Sequence, residues 1–136
     1  MNDFNAGVIE QFRAHGGDSG RWGRDLVVLH SIGAKSGAVR LNPVMGIRDG
    51  DGWLVAASKG GSPENPAWYH NLVAHPDIDL EVAGDTGVEV VPVTATVLEG
   101  DDYTAGWARF TDRSPAFAQY AERTPRRIPV IRLSPR

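Results

Sequence analysis

Apolar residues in the first segment recur at helical spacing. Phe4, Val8, Ile9 and Phe12 fall four and three positions apart, which predicts an amphipathic helix over about residues 3–15. Gly16 and Gly17 end it, and the glycine-rich polar stretch at 16–23 reads as a loop anchored by Trp22. From Leu26 onward the period shortens. β-Branched or alternating runs at residues 26–32, 39–47, 53–58, 78–82, 88–98 and 128–133 predict six strands. Arg48-Asp49-Gly50-Asp51-Gly52 and Ala83-Gly84-Asp85-Thr86-Gly87 supply the Asp and Gly that tight hairpins require. Pro92 cannot donate to a ladder and marks an edge or a bulge.

Helical spacing returns twice. Asn65 is placed to cap a helix opened by Pro66, with Trp68 and Leu72 on one face, stopping before Pro76. A second helical stretch covers about residues 101–119 and is broken at Ser114-Pro115. Six short strands without long crossover helices predict a mainly β (α+β) fold, a closed antiparallel barrel with peripheral helices. All 136 residues are read as one domain: a helix at about 3–15, then barrel and helices over 25–134.

Composition narrows the chemistry. The absence of cysteine excludes disulfide scaffolds, thiol catalysis and iron–sulfur clusters. No apolar run approaches the roughly 20 residues of a membrane-spanning helix, and no basic leader precedes an apolar block, so a cytoplasmic protein is expected. An alternative places the apolar stripe of the first helix against a membrane surface. The formal charge of −3 conceals a segregation along the chain. Residues 33–61 carry a net +2, residues 62–102 hold nine acids and no Lys or Arg, and residues 103–136 carry +5. Basic segments that converge in space can receive an anionic ligand.

Few chemical motifs survive inspection. Gly33-Ala34-Lys35-Ser36-Gly37 lacks the glycine spacing and following helix of a phosphate-binding loop and reads as a basic hairpin turn. Ala56-Ala57-Ser58-Lys59-Gly60-Gly61 is sharper, because small residues at a strand end, then Lys and two glycines, let a ligand lie against backbone N–H groups. Both lysines of the chain, Lys35 and Lys59, sit in such strand-ending turns. His70 and His75 are five apart and lie on different helix faces, so no metal site is expected, and His30 reads as a satisfied strand residue. Neither a nucleophile elbow nor a basic aromatic platform for nucleic acid is present.

Four segments in register carry a resemblance: Lys35-Ser36-Gly37; Arg40 with Asn42-Pro43; residues 56–61; and Asn65-Pro66-Ala67-Trp68-Tyr69-His70-Asn71-Leu72. Together with the Ile128-Pro129-Val130 ending they make the chain similar to the deazaflavin-dependent nitroreductase family over roughly residues 4–133. The resemblance implies a split β-barrel and reduced coenzyme F420 as hydride donor. It implies that Lys35, Ser36 and Arg40 hold the phosphate and oligoglutamate tail, that Asn42 and Pro43 line the pocket beneath, and that Ala56, Ala57, Ser58, Lys59, Gly60 and Gly61 cradle the phosphate and deazaflavin. Trp68, Tyr69 and Asn71 would complete the wall.

Two departures from the family stand out. Many relatives carry Arg where this chain has Ala34, which removes one expected tail contact. Nitroimidazole-activating relatives present several tyrosines in the substrate region, where this chain has Ser114, Phe117 and Tyr120. The expected activity is two-electron reduction of a small-molecule acceptor such as a quinone, an enone, a coumarin-like lactone or a nitroaromatic. Tyr120 and Ser58 are the candidates for polarising the acceptor oxygen or relaying a proton. The alternatives are an FMN-dependent reductase of the same barrel type and a non-catalytic deazaflavin carrier.

Overall fold

The computed structural model describes residues 3–18 and 25–136. Trp22 and the side chain of Phe4 lie outside the described residues. Among these residues the chain forms α1 (Asp3–Ala14), β1 (Leu26–Ile32), β2 (Val39–Met45), β3 (Ile47–Asp49), β4 (Gly52–Ala56), α2 (Ala67–Ala74), β5 (Asp77–Gly84), β6 (Gly87–Val97), α3 (Gly100–Arg113), α4 (Pro115–Arg123) and β7 (Val130–Pro135). One antiparallel sheet runs in the order β2-β1-β5-β6-β7-β4-β3. Its two edge strands, β2 and β3, are consecutive in the chain and separated by Gly46 alone. A sheet whose opposite edges meet through one residue must curl round on itself, so where a closed barrel was expected the strands form a curled half-barrel with β2 and β3 left as its edges.

Seven strands therefore stand where six were expected. The run at 39–47 divides because β2 pairs with β1 while β3 pairs with β4. Gly46 makes the switch: its N–H donates to Asp25 O at 2.8 Å, and a Cβ there would lie 2.7 Å from Val27 Cγ1. Both predicted two-residue hairpin turns are present, with register Asp49↔Gly52 and Gly84↔Gly87. Pro92 pairs with Asp79 on β5, and its carbonyl accepts from Arg136 N at 3.0 Å just past the β6–β7 register. The donor it lacks thus falls at the end of a ladder. Pro66, rather than Asn65, precedes the first turn of α2, and Asn65 turns its Oδ1 to Arg126.

The core lies in three layers. Val27, Leu29, Val55, Leu80, Ile131 and Leu133 fill the barrel beneath Trp68 and Leu72 of α2. Ile47, Leu54 and Val130 pack on the other side against Phe110 of α3 and Phe117 of α4. Leu26 and Val28 face Ile9 and Phe12 of α1. Strand β1 is thus covered on both faces, which is why its first four residues are all buried.

The third layer revises one expectation. Ile9 is 3 % exposed and Phe12 is fully buried, with Val8 partly buried against them, so these three residues of α1 pack on the sheet, and Ile9 and Phe12 are not presented to lipid. A charge cluster fastens the same helix. Arg13 donates to Glu81 from Nε at 2.8 Å and from Nη2 at 2.6 Å, and His30 Nε2 lies 2.7 Å from Glu81 Oε2. Glu81 is buried on β5, and the hydrogen bonds from Arg13 hold its carboxyl below the ordinary value of 4.5.

Because folding lowers that pKa, the unfolded chain binds the proton more readily. The stabilisation is complete above about pH 4.5 and drains as pH falls through the lower folded value. Arg13→Met leaves the buried carboxylate with His30 alone. Half of the Arg13 side chain faces solvent, so the expected loss is about 2 kcal/mol at pH 7, below the usual cost of breaking a buried pair. Urea unfolding at pH 7 and pH 4 reads it, the difference from the parent chain narrowing at the lower pH; equal stability at pH 7 would show the pair to be idle.

Candidate functional site

The site begins where β4 ends. Ala57 N donates to Pro129 O at 2.9 Å, and the chain then enters a single 3-10 turn at Lys59–Gly61. Gly61 N bonds Ser58 O at 3.0 Å and Ser62 N bonds Lys59 O at 3.1 Å. Lys59 has φ +45°, and among the described residues no other non-glycine residue has positive φ. A left-handed non-glycine residue costs conformational energy, and such strain gathers at functional sites. Gly61, at φ +83°, lets α4 come close: a Cβ there would lie 2.8 Å from Tyr120 O and 3.0 Å from Arg123 Cβ.

Close packing of α4 on this turn forms a cavity of about 220 Å³ lined by Val44, Met45, Ala56, Ser58, Lys59, Trp68, Phe117 and Tyr120. Four elements meet there: β2, the end of β4 with its turn, α2 and α4. The rings of Phe117 and Tyr120 meet edge to face at 5.5 Å, as do those of Phe110 and Phe117 at 5.1 Å, so the α4 wall is backed by a fixed aromatic stack. Larger hollows exist elsewhere. One of about 520 Å³ lies between α1 and Leu41, but the one cationic side chain among its described lining residues, Arg13, is already committed to Glu81. The smaller cavity is the one where the predicted chemistry converges.

Two tracks lead from this cavity to exposed cations. Side chains on a strand alternate, so Arg40, Asn42 and Val44 share one face of β2, with Val44 at the cavity. Four residues at about 3.3 Å each put Arg40 roughly 13 Å along that face. On α2, Trp68 and Asn71 are three apart and lie on one helix face. Trp68 lines the cavity, while Asn71 Oδ1 accepts from Ala34 N at 3.0 Å, which ties α2 to the hairpin turn carrying Lys35. Ser31 joins the tracks: its Oγ lies 3.0 Å from Asn42 Oδ1 and 3.5 Å from Asn71 Nδ2.

Charge pairing singles out the same places. Arg109 and Arg132 bond Asp49, Arg132 also bonds Asp51, Arg113 bonds Asp25, and Arg136 donates to Val93 O and Ile78 O. Arg127 lies 3.5 Å over the Tyr103 ring, Arg123 lies 6.0 Å from the Tyr120 ring, and Arg48 covers Trp53 at 4.7 Å. The basic C-terminal block is therefore largely used inside the fold. Among the described Lys and Arg side chains, those of Lys35, Arg40 and Lys59 have no hydrogen bond, ion pair or ring contact. All three are exposed.

Of the residues named from the sequence, the structure brings Ala56, Ser58, Lys59, Trp68, Phe117 and Tyr120 to one cavity, with Gly60 and Gly61 in its turn. Lys35, Ser36 and Arg40 stand at the far end of the two tracks. Asn42 and Asn71 are tied to Ser31, and Asn71 is nearly buried. Ala57 is wholly buried in the barrel core. Pro43 pairs with Val28 and alternates to the face of β2 opposite Asn42. Tyr69 faces a separate cavity of about 170 Å³ beside Tyr103 and Arg127. Ser114 joins α3 to α4, its N–H donating to Phe110 O at 2.9 Å, and does not line the main cavity.

Val44, Met45 and Arg126 went unnoticed in the sequence. Strand alternation from Arg40 and Asn42 identifies Val44. No local signal identifies Arg126, whose guanidinium reaches Ser58 O, Ser62 O and Asn65 Oδ1 at 2.8, 2.9 and 2.8 Å and whose pKa is lowered by burial.

Comparison with known proteins meets this geometry. A family model described as F420H(2)-dependent quinone reductase matches residues 7–135. An F420H(2)-dependent quinone reductase of Mycobacterium tuberculosis strain H37Rv is 37 % identical over 128 residues, covering 88 % of this chain and 84 % of that protein. A solved F420-H2 dependent reductase, FDR-A, superposes with a TM-score of 0.71 at 35 % identity, covering 82 % of this chain and 95 % of the other. The heme storage protein HutZ of Vibrio cholerae, at 14 % identity and a TM-score of 0.64 over 94 % of this chain and 87 % of its own, shares the fold.

Proposed function

Because this chain belongs to the F420H(2)-dependent quinone reductase family, we propose that it reduces a quinone-type acceptor at the cavity between β2, the turn at 58–61, α2 and α4. It is an F420H2-dependent oxidoreductase, and the matched family supports coenzyme F420, not FMN, as its cofactor. The observation that carries the placement is the set of three unpartnered cations, Lys35, Arg40 and Lys59, along two tracks that start at one aromatic cavity. A cofactor with a flat ring and a polyanionic tail fits that arrangement, since charge-assisted hydrogen bonds are about twice as strong as neutral ones.

When bound, reduced deazaflavin supplies a hydride from its C5 to the acceptor. The protein's own share is binding, orientation and exclusion of water. Lys59 and those N–H groups of its turn not already donated to Ser58 O and Lys59 O receive the phosphate, and Lys35, Ser36 and Arg40 receive the tail. Trp68, Phe117, Val44 and Met45 give apolar walls that keep water from the reacting face. Asn42 and Asn71, linked through Ser31, keep β2 and α2 in register beneath the ligand. Tyr120 and Ser58 present hydroxyls at the cavity, where each donates to the acceptor oxygen as negative charge develops.

Anaerobic turnover with reduced F420 and a quinone, followed by the absorbance of the oxidised deazaflavin, tests the reading. Oxidation dependent on both enzyme and quinone is the expected result; binding without turnover across a panel of quinones and enones would make the protein a carrier. Tyr120→Phe should lower kcat about a hundredfold, in the range of a positioned proton donor, and leave the deazaflavin Kd unchanged. An unchanged kcat would remove the Tyr120 hydroxyl from the reaction.

A further inference from the structure

Arg126 lies in the connector between α4 and β7, well away in sequence from the turn at 58–61, yet its whole guanidinium is directed at the loop that contains it. Nη2 donates to Ser58 O, Nε to Ser62 O and Nη1 to Asn65 Oδ1. These acceptors stand before, just after and beyond Lys59–Gly61, so one rigid fork grips the loop at three points. The loop's own backbone bonds are short-range, Gly61 to Ser58 and Ser62 to Lys59, and they do not tie it to the barrel. Nor is it relaxed, because Lys59 is held at φ +45°. A strained conformation persists only where surrounding structure over-determines it.

We propose that Arg126 is a positioning residue for the anion-receiving loop. Through its three hydrogen bonds it holds residues 58–65 in the conformation that presents the Lys59 ammonium and the turn amides, without itself touching the ligand. The inference rests on the functional reading given above. The residue type matters, since a planar guanidinium satisfies three divergent acceptors at once and a lysine ammonium on a flexible stem does not reproduce that fork. The location matters too: Arg126 lies three residues past the end of α4, whose Phe117 and Tyr120 line the same cavity, so the residue that grips the loop is joined by a short connector to the helix on the cavity's other side.

The test uses the full chain in four forms: the parent, Arg126→Gln, Arg126→Lys and the milder Asn65→Ala, which removes one acceptor. Titration with oxidised F420 on tryptophan fluorescence gives Kd, steady-state kinetics give KM and kcat, and hydrogen exchange without ligand reads the loop directly. For Arg126→Gln, Kd and KM for the deazaflavin should rise about tenfold to a hundredfold, the factor set by losing one charge-assisted hydrogen bond, while kcat at saturation stays within about twofold. Exchange should quicken over residues 58–65 and stay slow in β1, β4 and β7. Arg126→Lys should recover part of the affinity, and Asn65→Ala should show a smaller rise in KM in the same direction.

Unchanged KM and unchanged loop exchange in Arg126→Gln would overturn the proposal. So would faster exchange throughout the barrel, which would make Arg126 a general structural residue. If Arg126→Gln does not fold, the KM and exchange of Asn65→Ala decide in the same way. If the parent chain itself binds no deazaflavin, the functional reading falls, and the local exchange difference alone decides whether Arg126 braces the loop.

Discussion

Replacing Lys35, Arg40 and Lys59 together by glutamine weakens F420 binding by about a thousandfold at low salt. Hydrogen bonds to charged groups are worth about 1.5–3 kcal/mol each, so losing three at the lower figure removes about 4.5 kcal/mol, or roughly three factors of ten. These side chains have no protein partner to leave stranded, so the change should not unfold the chain, and unfolding by urea should stay within about 0.5 kcal/mol of the parent. That separates them from Arg109, Arg126 and Arg132, where removing the cation leaves carbonyl or carboxylate oxygens unpaired. All three cations are exposed, so the effect must shrink as salt screens them, the Debye length falling to about 8 Å at physiological ionic strength. Fluorescence titration at two salt concentrations measures both parts. An affinity that neither drops with the substitutions nor depends on salt would remove these residues from the ligand site.

Gly61→Ala is the second large effect, and it acts on stability and activity together. The new methyl group would stand 2.8 Å from Tyr120 O, 3.0 Å from Arg123 Cβ and 3.1 Å from Tyr120 Cα, closer than carbon and oxygen tolerate, while φ stays at +83°. Neither neighbour is the free end of a flexible side chain; both belong to the body of α4. The helix must move outward or the turn must open. Forcing a methylene into a packed region costs about 1–3 kcal/mol, and the left-handed backbone adds about 1 kcal/mol, so a loss near 3 kcal/mol is expected. Since α4 carries Phe117 and Tyr120, the same shift widens the cavity, and kcat/KM should fall by more than the affinity for F420 alone explains. Thermal unfolding and steady-state kinetics on the same preparation check this. A variant with the parent's Tm and kcat/KM would show that α4 does not depend on that contact.

Much of the architecture was legible locally. The hairpins at Asp49-Gly50 and Gly84-Asp85, the helix break at Ser114-Pro115 and the apolar stripe of α1 are short-range events, decided by turn chemistry, proline and periodicity within a few residues. The cavity residues from 56 to 61 were legible for the same reason. A strand that ends in Ser-Lys-Gly-Gly has its turn geometry and its cavity-lining residues Ala56, Ser58 and Lys59 in one stretch of chain.

What escaped the sequence is all long-range. Gly46 resembles any other glycine until β2 and β3 are seen to pair with different partners, β1 and β4, at opposite edges of one sheet. A charge count along the chain placed +5 in the last 34 residues, but it cannot say that Arg132 reaches Asp49 or that Arg113 reaches Asp25. Tyr69 and Trp68 are adjacent in sequence yet face different cavities, because neighbouring positions on a helix point about 100° apart and only docking on the barrel decides which one looks inward.

By itself, then, the sequence determined most of the elements, though not the division of β2 from β3, together with the family likeness and the short motif at 56–61, since each depends on residues that are neighbours in the chain. Only the tertiary structure decided which cations remain available to a ligand. Eleven basic groups lie outside Lys35, Arg40 and Lys59, and nine of these, all within the described residues, have found partners, most of them far away in the chain. Availability is what remains after pairing, and pairing is set by the curled sheet and its helices rather than by order along the chain.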